Sequence, residues 1–288
     1  IVVVLWGIEP LFMKVALIEF DSYSITWFRV TGAFLLLVPI MKKQGGDVVM
    51  SLRLHAGWVV ISGVCLGVYF LAFVKGIELG GPVTAAVTIQ IGPPVLAIAG
   101  VMIFKEYLSR AQVVGVCVAF LGYLLFFHAR LSVAEAAKFH VDAVLYVVVA
   151  ALAWVGFCIG QKVTGRHVST KCFNLMTFFV ASLFLLVTTS IPGRETLLTW
   201  SFSALVYLSF STFFAYWALG EAIRLLPISI VSFFVTVNPF ITILVVEALR
   251  CFGNEFYEPQ PLTLYGYIGT AMALLGVGGA TIRRSSDS

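Results

Sequence analysis

The stretch that decides the fold is residues 81–106, GPVTAAVTIQIGPPVLAIAGVMIFKE. It is apolar for almost its whole length, yet Pro93 and Pro94 lie at its centre. Proline removes a backbone donor and usually breaks a helix. At mid-membrane depth, irregular backbone is tolerated only where protein buries it or where it borders a cavity. The two prolines therefore predict a helix that is bent or unwound beside a cavity, unless the kink serves packing alone.

The composition predicts that lipid surrounds most of the chain. Of 288 residues, 60% are hydrophobic and 11% are charged, and the mean hydropathy is +1.03. A soluble domain has about 25% charged residues. The net charge of +4 is small and scattered, without the basic face that nucleic acid requires, so no nucleic-acid partner is expected. The five cysteines show no C-x-x-C spacing and indicate packing residues, not a metal site or a disulfide framework.

Ten apolar runs are long enough to cross a bilayer core of roughly 30 Å, which takes about 20 residues each. Because hydrocarbon offers the backbone no hydrogen-bond partner, these runs are predicted to be helices. The alternating segments of a membrane barrel are absent from the sequence. The predicted fold class is therefore an all-α membrane protein with ten transmembrane helices. The predicted spans are 1–19, 22–41, 56–77, 82–104, 111–128, 141–163, 172–191, 202–224, 227–249 and 262–282.

The distribution of Lys and Arg predicts that both termini are cytoplasmic. With the start of the first helix inside, eleven basic residues fall on the cytoplasmic side and five on the other. Lys14 and Arg29 are counted as intramembrane. The cytoplasmic set is Lys42, Lys43, Arg53, Lys105, Arg110, Lys162, Arg166, Lys171, Arg224, Arg283 and Arg284.

The chain repeats itself, and the prolines give the first sign. Pro82 opens the fourth span and Pro94 follows twelve residues later, while Pro227 opens the ninth span and Pro239 also follows twelve later. Two further matches occur in the same order. They are the pattern G-x-x-x-A-x-L-G at 115–122 and 269–276, and a Trp followed eight residues later by a Lys, at Trp6 and Lys14 and again at Trp154 and Lys162.

Five helices per half make the two halves thread the membrane in opposite directions, which is the inverted repeat of many secondary transporters. The predicted domains are residues 1–128 and 141–284, around a central cavity. The matched proline pair favours cavity lining over packing alone. The glycine pairs predict close packing of the fifth and tenth helices on each other, or a dimer face.

Several segments resemble the EamA family of the drug/metabolite transporter superfamily. They are LWGIEPLFMK (5–14), ITWFRVTGAFLLL (25–37), the proline-centred fourth helix ending in FKE (104–106), and GVCVAFLGYLL (115–125). The resemblance spans both halves. It implies ten helices, an inverted five-helix repeat, a cavity lined by helices 1, 3, 4, 6, 8 and 9, and transport of amino acids or other metabolites across a bacterial inner membrane. Helix 9 departs from the family pattern, with Val246-Glu247 and no Gly-Glu.

Three charged residues of the first two predicted spans, Glu9, Lys14 and Arg29, are candidates for a role inside the membrane, where a charge costs at least about 2.5–3.5 kcal/mol. Glu9 is ten residues from the predicted outer end of its helix, or about 15 Å deep. It is a candidate proton carrier or ligand for a substrate amine, or else a structural partner of Lys14 or Arg29. Lys14 is a candidate ligand for a substrate anion or a snorkelling residue. Arg29 is predicted to form a structural ion pair.

The other candidate site residues are polar amides, aromatics and prolines. Gln90 and Asn238 lie close to the central prolines, and an amide can both donate and accept hydrogen bonds. The alternative to a binding role is, for each amide, a structural hydrogen bond between helices. The aromatic candidates for the cavity wall are Trp6, Tyr69, Trp154, Tyr216 and Trp217, and the candidate gating or kink residues are Pro10, Pro93, Pro94 and Pro239.

The predicted function is secondary active transport of a small metabolite by alternating access, with export of amino acids or related compounds as the favoured direction and solute. Protons or a counter-solute are candidate coupling partners, and no cofactor is expected. The alternative carrier takes up or exchanges a nucleotide-like metabolite such as S-adenosylmethionine. A membrane-embedded enzyme is disfavoured because the four His lie at span ends or in loops and no nucleophile–base pair is visible.

Overall fold

All regular structure is helical in the residues that the computed structural model describes, which are 2–41, 45–107, 109–134, 141–187, 189, 199–235, 238–252 and 263–281. This confirms the prediction of an all-helical chain. The helices are α1 (Val2–Ala16), α2 (Ser22–Met41), α3 (Gly45–Thr88), α4 (Gly92–Phe104), α5 (Arg110–Ala134), α6 (Val141–Thr164), α7 (Thr170–Leu186), α8 (Trp200–Leu225), α9 (Ile228–Val235), α10 (Asn238–Cys251) and α11 (Leu264–Thr281).

Several of these helices have the length and composition of membrane spans. Within the described residues, four helical stretches are long and apolar enough to cross a bilayer. Two shorter apolar helices, Arg110–Phe126 and Thr170–Leu186, accompany them. The four long stretches are Ser22–Met41, His55–Phe104, Val141–Thr164 and Trp200–Leu225.

The first helix is shorter than predicted because a capped turn follows it. α1 ends at Ala16, not at residue 19, and the amide of Phe20 donates to the Ala16 carbonyl at 3.0 Å. The Asp21 carboxylate then accepts from the amides of Tyr23 and Ser24 at 2.9 and 3.0 Å. These bonds satisfy free amides of the first turn of α2, so Asp21 sets where that helix begins.

The stretch 81–106 is interrupted twice. Gly81 has φ 77° and ψ 166°, a backbone conformation that glycine adopts readily, and Pro82 begins the next helical segment. A 3-10 turn at Ile89–Ile91 then separates that segment from α4, which carries Pro93 in its first turn. Proline is tolerated there because the first amides of a helix have no intrahelical acceptor. The helix is therefore broken at its centre, as the prolines predict.

The ninth predicted span shows a similar construction. α9 ends at Val235 and α10 begins at Asn238, with Pro239 as its second residue. Residues 236–237 lie outside the described part of the chain. In both places a short helical piece precedes a second helix that has proline in its first turn.

The helices pack into one core with an attached pair. α3 packs on α6, α1 on α8 and α10, α2 on α7 and α8, and α4 on α6 and α9. The attached pair is α5 and α11, which pack on each other through glycines. A side chain on Gly122 would lie 2.5 Å from the carbonyl oxygen of Gly269. The two backbones therefore touch, which is the packing alternative that the glycine spacing predicts.

Candidate functional site

A small cavity lies where the two helix breaks meet α1, α3 and α6. Gln90 in the 3-10 turn and Pro93 at the start of α4 form one side, and Val235 and Asn238 at the second break form another. The cavity measures ≈ 30 Å³, room for roughly one water molecule. It includes these predicted site residues: Trp6, Glu9, Pro10, Tyr69, Gln90, Pro93, Trp154 and Asn238.

An ion pair lies at the wall of this cavity, between α1 and α2. Arg29 Nη2 donates to Glu9 Oε1, and both side chains are almost wholly buried, with 1% and 2% exposed. The Ser211 hydroxyl of α8 donates to the same carboxylate oxygen at 3.2 Å. Both hydrogen bonds end on Oε1, and Glu9 is among the residues that line the cavity.

Arg29 itself lies behind the cavity wall. Its Nε and Nη2 donate to the Thr212 hydroxyl at 3.0 and 2.9 Å, and its guanidinium lies 4.2 Å from the centre of the Phe70 ring. The side chain contacts α1, α3 and α8 from its position on α2. Arg29 therefore forms a buried ion pair with Glu9 and is not among the residues that line the cavity.

Four residues that line the cavity each have a buried polar side-chain atom with no hydrogen-bond partner in the described part of the chain. These atoms are the indole Nε1 of Trp6 and of Trp154 and the side-chain oxygens of Gln90 and Asn238. The two indole rings meet edge to face with their centroids 6.1 Å apart. A buried polar group without a partner costs about 1–3 kcal/mol. Because two donors and two acceptors around one cavity lack partners, a polar ligand bound there gains hydrogen bonds.

Two predicted aromatics lie away from the cavity lining. Tyr216 is fully buried behind Trp6, with ring centroids 5.5 Å apart, and it also contacts Phe70. Trp217 follows directly but faces Lys171, whose Nζ lies 4.8 Å from the ring centre. Successive residues of a helix point about 100° apart, so Tyr216 and Trp217 do not share a wall.

Three other predicted site residues also lie outside the cavity lining. Lys14 is half-buried on α1. Pro94 faces an apolar groove between α4 and α5, and Pro239 faces a small space beside Gly269 of α11. Pro93 therefore lines the cavity while Pro94 turns away, because neighbouring positions of a helix look in different directions.

The cavity also contains residues that the sequence analysis did not single out, chiefly Phe73 and Thr242. The Thr242 hydroxyl donates to the carbonyl of Gly7, which ties α10 to α1. Thr242 lies four residues after Asn238, on the same helical face. The spacing of four residues from Asn238 is the sequence signal that could have identified Thr242.

Comparison with known proteins agrees with this architecture. The EamA-like transporter family matches residues 1–128 and 142–282. The chain is 26% identical over 273 residues to an uncharacterized transporter of Haemophilus influenzae, covering 94% of this chain and 89% of that protein. It is 26% identical over 277 residues to the uncharacterized inner membrane transporter YhbE of Escherichia coli K12, covering 94% and 86%.

One solved crystal structure shows the same fold. It superposes with a TM-score of 0.69 at 17% identity, covering 97% of this chain and 93% of that chain. Apolar helices around a buried polar cavity, together with the family match, define a membrane transporter. The chain belongs to the EamA-like transporter family.

Proposed function

We propose that this protein is a secondary active carrier that exports amino acids or related small metabolites by alternating access. The observation that carries the proposal is the set of unpartnered groups around the cavity. The indole N–H groups of Trp6 and Trp154 suit a carboxylate, and the side-chain oxygens of Gln90 and Asn238 suit an ammonium group. The carboxylate of Glu9, another residue that lines the cavity, adds negative charge. A zwitterion presents both kinds of group.

The packing supports ten spans in an inverted repeat of residues 1–128 and 141–284. Contacts occur in matched sets: α1 packs on α8 as α6 packs on α3, and α1 packs on α10 as α6 packs on α4. Two further contacts, α2 with α7 and α5 with α11, join a helix to its proposed counterpart, and the contact of α4 with α9 joins the fourth predicted span to the ninth. Trp6 and Trp154, which correspond in the repeat, contact each other at the cavity.

The small size of the cavity supports a mechanism in which the halves move. A space of ≈ 30 Å³ holds about one water and is too small for an amino acid. Helices must therefore separate for a solute to enter, and a solute that binds one arrangement better shifts the protein towards it. The names of the relatives support a location in a bacterial inner membrane, and the distribution of basic residues supports cytoplasmic termini.

A nucleotide-like metabolite such as S-adenosylmethionine, taken up or exchanged, is the second candidate solute. The rings of Trp6, Tyr69 and Trp154 around the cavity favour it, because aromatic faces stack on a nucleobase. Screening the purified protein for thermal stabilisation by amino acids and nucleosides separates the two candidates. Flux of each stabilising compound into proteoliposomes then tests transport. Stabilisation by nucleosides alone would contradict the amino-acid proposal.

A matched pair of variants tests whether this cavity binds the solute. Trp154→Phe removes an unpartnered indole N–H from a residue that lines the cavity. Trp217→Phe removes an indole N–H from a residue outside the cavity lining. We expect Trp154→Phe to raise the KM for flux about fivefold to tenfold, the effect of losing one hydrogen bond of about 1 kcal/mol or slightly more. Trp217→Phe should leave the KM unchanged. An equal effect of both substitutions would contradict the proposal that the cavity binds the solute.

A further inference from the structure

A second cluster of charged and backbone groups ties the two halves together far from the cavity. Glu106 follows the end of α4, in the first half, and Lys162 lies in the last turn of α6, in the second. Lys162 Nζ lies 3.7 Å from Glu106 Oε1. Eleven residues of α4 separate Phe104 from Pro93 at the cavity, a distance of about 16 Å along the helix. The cluster therefore lies near one membrane face, the one predicted to be cytoplasmic.

Each side chain of this cluster also caps a helix end. Glu106 Oε1 accepts from the amide of Ile228, the first residue of α9, at 2.9 Å. Lys162 Nζ donates to the carbonyls of Ile223 and Leu226, at the end of α8, at 3.1 and 2.9 Å. A carboxylate is favoured at the positive N-terminal end of a helix and an ammonium at the negative C-terminal end. The pair therefore fastens together the ends of α4, α6, α8 and α9.

The backbone around Glu106 is shaped to hold it in this position. Lys105 has a left-handed conformation, with φ 56°, and the amide of Glu106 donates to the Gly100 carbonyl at 3.1 Å. A Cβ on Gly100 would lie 2.9 Å from Glu106 Oε2 and 3.1 Å from the side chain of Ile228. The absence of a side chain at Gly100 thus makes room for the carboxylate between α4 and α9.

We propose that Glu106 and Lys162 form a latch that keeps the cavity closed towards this membrane face. The inference rests on the proposed alternating-access function and names the contacts that must break for one of its two openings. Since α4 belongs to one half and α6, α8 and α9 belong to the other, separating the halves at this face removes the ion pair and the Ile228 cap. With side chains 14% and 22% exposed, the pair is accessible enough to break and re-form.

The test measures access to the cavity from each membrane face. Ala86→Cys places a thiol at the cavity, in a protein whose five native cysteines are changed to alanine. Tyr107→Cys, at a position 99% exposed just after Glu106, identifies the face on which the latch lies. Membrane-impermeant thiol reagents are then added to one side of oriented vesicles. Glu106→Gln retains an acceptor for the Ile228 amide but loses its charge, and we expect it to speed labelling of residue 86 from the latch face about fivefold.

Two further variants separate the latch from a simple ion pair. Glu106→Lys combined with Lys162→Glu restores opposite charges but places each against the wrong helix end, so labelling should stay fast. Slow labelling in this double variant would mean that the ion pair alone keeps the cavity closed, and it would contradict the role of the helix caps. Glu221→Gln breaks an ion pair within α8, with Arg224, and should label like the parent protein. Acceleration there would show that surface charge alone controls labelling, contradicting the latch.

Failure of the latch and failure of the proposed function give different results. If the parent protein transports solute but Glu106→Gln and Lys162→Met label at its rate, the latch is wrong and the carrier stands. If the parent gives no flux with any solute and labelling at residue 86 is unaffected by solute from either face, the carrier itself is wrong.

Discussion

Two acid–base pairs join elements of this transporter, and they differ in depth. The pair of Glu9 and Arg29 is almost wholly buried, and further hydrogen bonds from Ser211 and to Thr212 surround it. The pair of Glu106 and Lys162 is partly exposed, and its contacts include backbone atoms at helix ends.

The difference separates two uses of the same chemistry. Breaking a buried pair by removing one partner costs about 3–5 kcal/mol, because the remaining charge stays out of water. Partly exposed pairs contribute about 0–1 kcal/mol. The deep pair therefore suits a fixed part of a binding site, and the shallow pair suits a contact that opens in each transport cycle.

The largest expected effect is on coupling, in the variant Glu9→Gln. Its amide oxygen still accepts from Arg29 and Ser211, but a Gln side chain cannot carry a proton, which is the candidate role of Glu9 that this variant tests. We expect a pH gradient to drive no solute accumulation in proteoliposomes, while solute exchange without a gradient continues. Glu221→Gln, at an exposed acid of α8, is the matched control and should keep full coupling. Undiminished proton-driven accumulation in Glu9→Gln would exclude Glu9 as the proton carrier.

The next largest effect is on stability, in the variant Arg29→Met. It leaves the Glu9 carboxylate without its counter-ion, and the free energy of unfolding should fall by about 3–5 kcal/mol. Combining it with Glu9→Gln should recover much of this loss, because replacing a whole buried pair is often near neutral. Thermal melting in detergent measures both. Arg224→Met, at a side chain 50% exposed, is the control, and a loss as large there would erase the distinction between deep and shallow pairs.

The smallest effect is on the stability of Glu106→Gln. Since its pair with Lys162 is partly exposed, we expect the free energy of unfolding to change by at most about 1 kcal/mol, seen as a small shift in melting temperature. The same variant is expected to change the labelling rate at the cavity. A loss of stability as great as that of Arg29→Met would mean that the shallow pair is a permanent structural contact.

Much of the fold follows from patterns that need only the sequence. Length and hydropathy place the apolar helices, and Gly81, Pro82 and Pro93 mark where the chain breaks, because backbone conformation is a local property. The end of α1 at Ala16 was missed. A hydropathy pattern includes the three residues that follow Ala16, whereas the turn capped by Asp21 decides where the helix ends.

The sequence selected part of the candidate site, but not the direction in which each side chain points. Counting residues along α1 singled out Glu9, which lines the cavity. The same counting did not distinguish Tyr216 from Trp217, or Pro93 from Pro94, because the face that each presents depends on how the helices are rotated in the packed structure. The contacts of Glu106 with Ile228 and Lys162 join distant parts of the chain, so no local spacing reveals them.

The glycine contact between α5 and α11 has a consequence for biosynthesis. Among the described helices, α5 packs extensively only on α11, whose residues Leu264–Thr281 are made long after α5. At about 5–20 residues per second, the ribosome takes roughly ten to thirty seconds to reach them. During that time the glycine face of α5 is covered by lipid or by a temporary companion. A nascent chain released before residue 264 would leave that face without its helix partner.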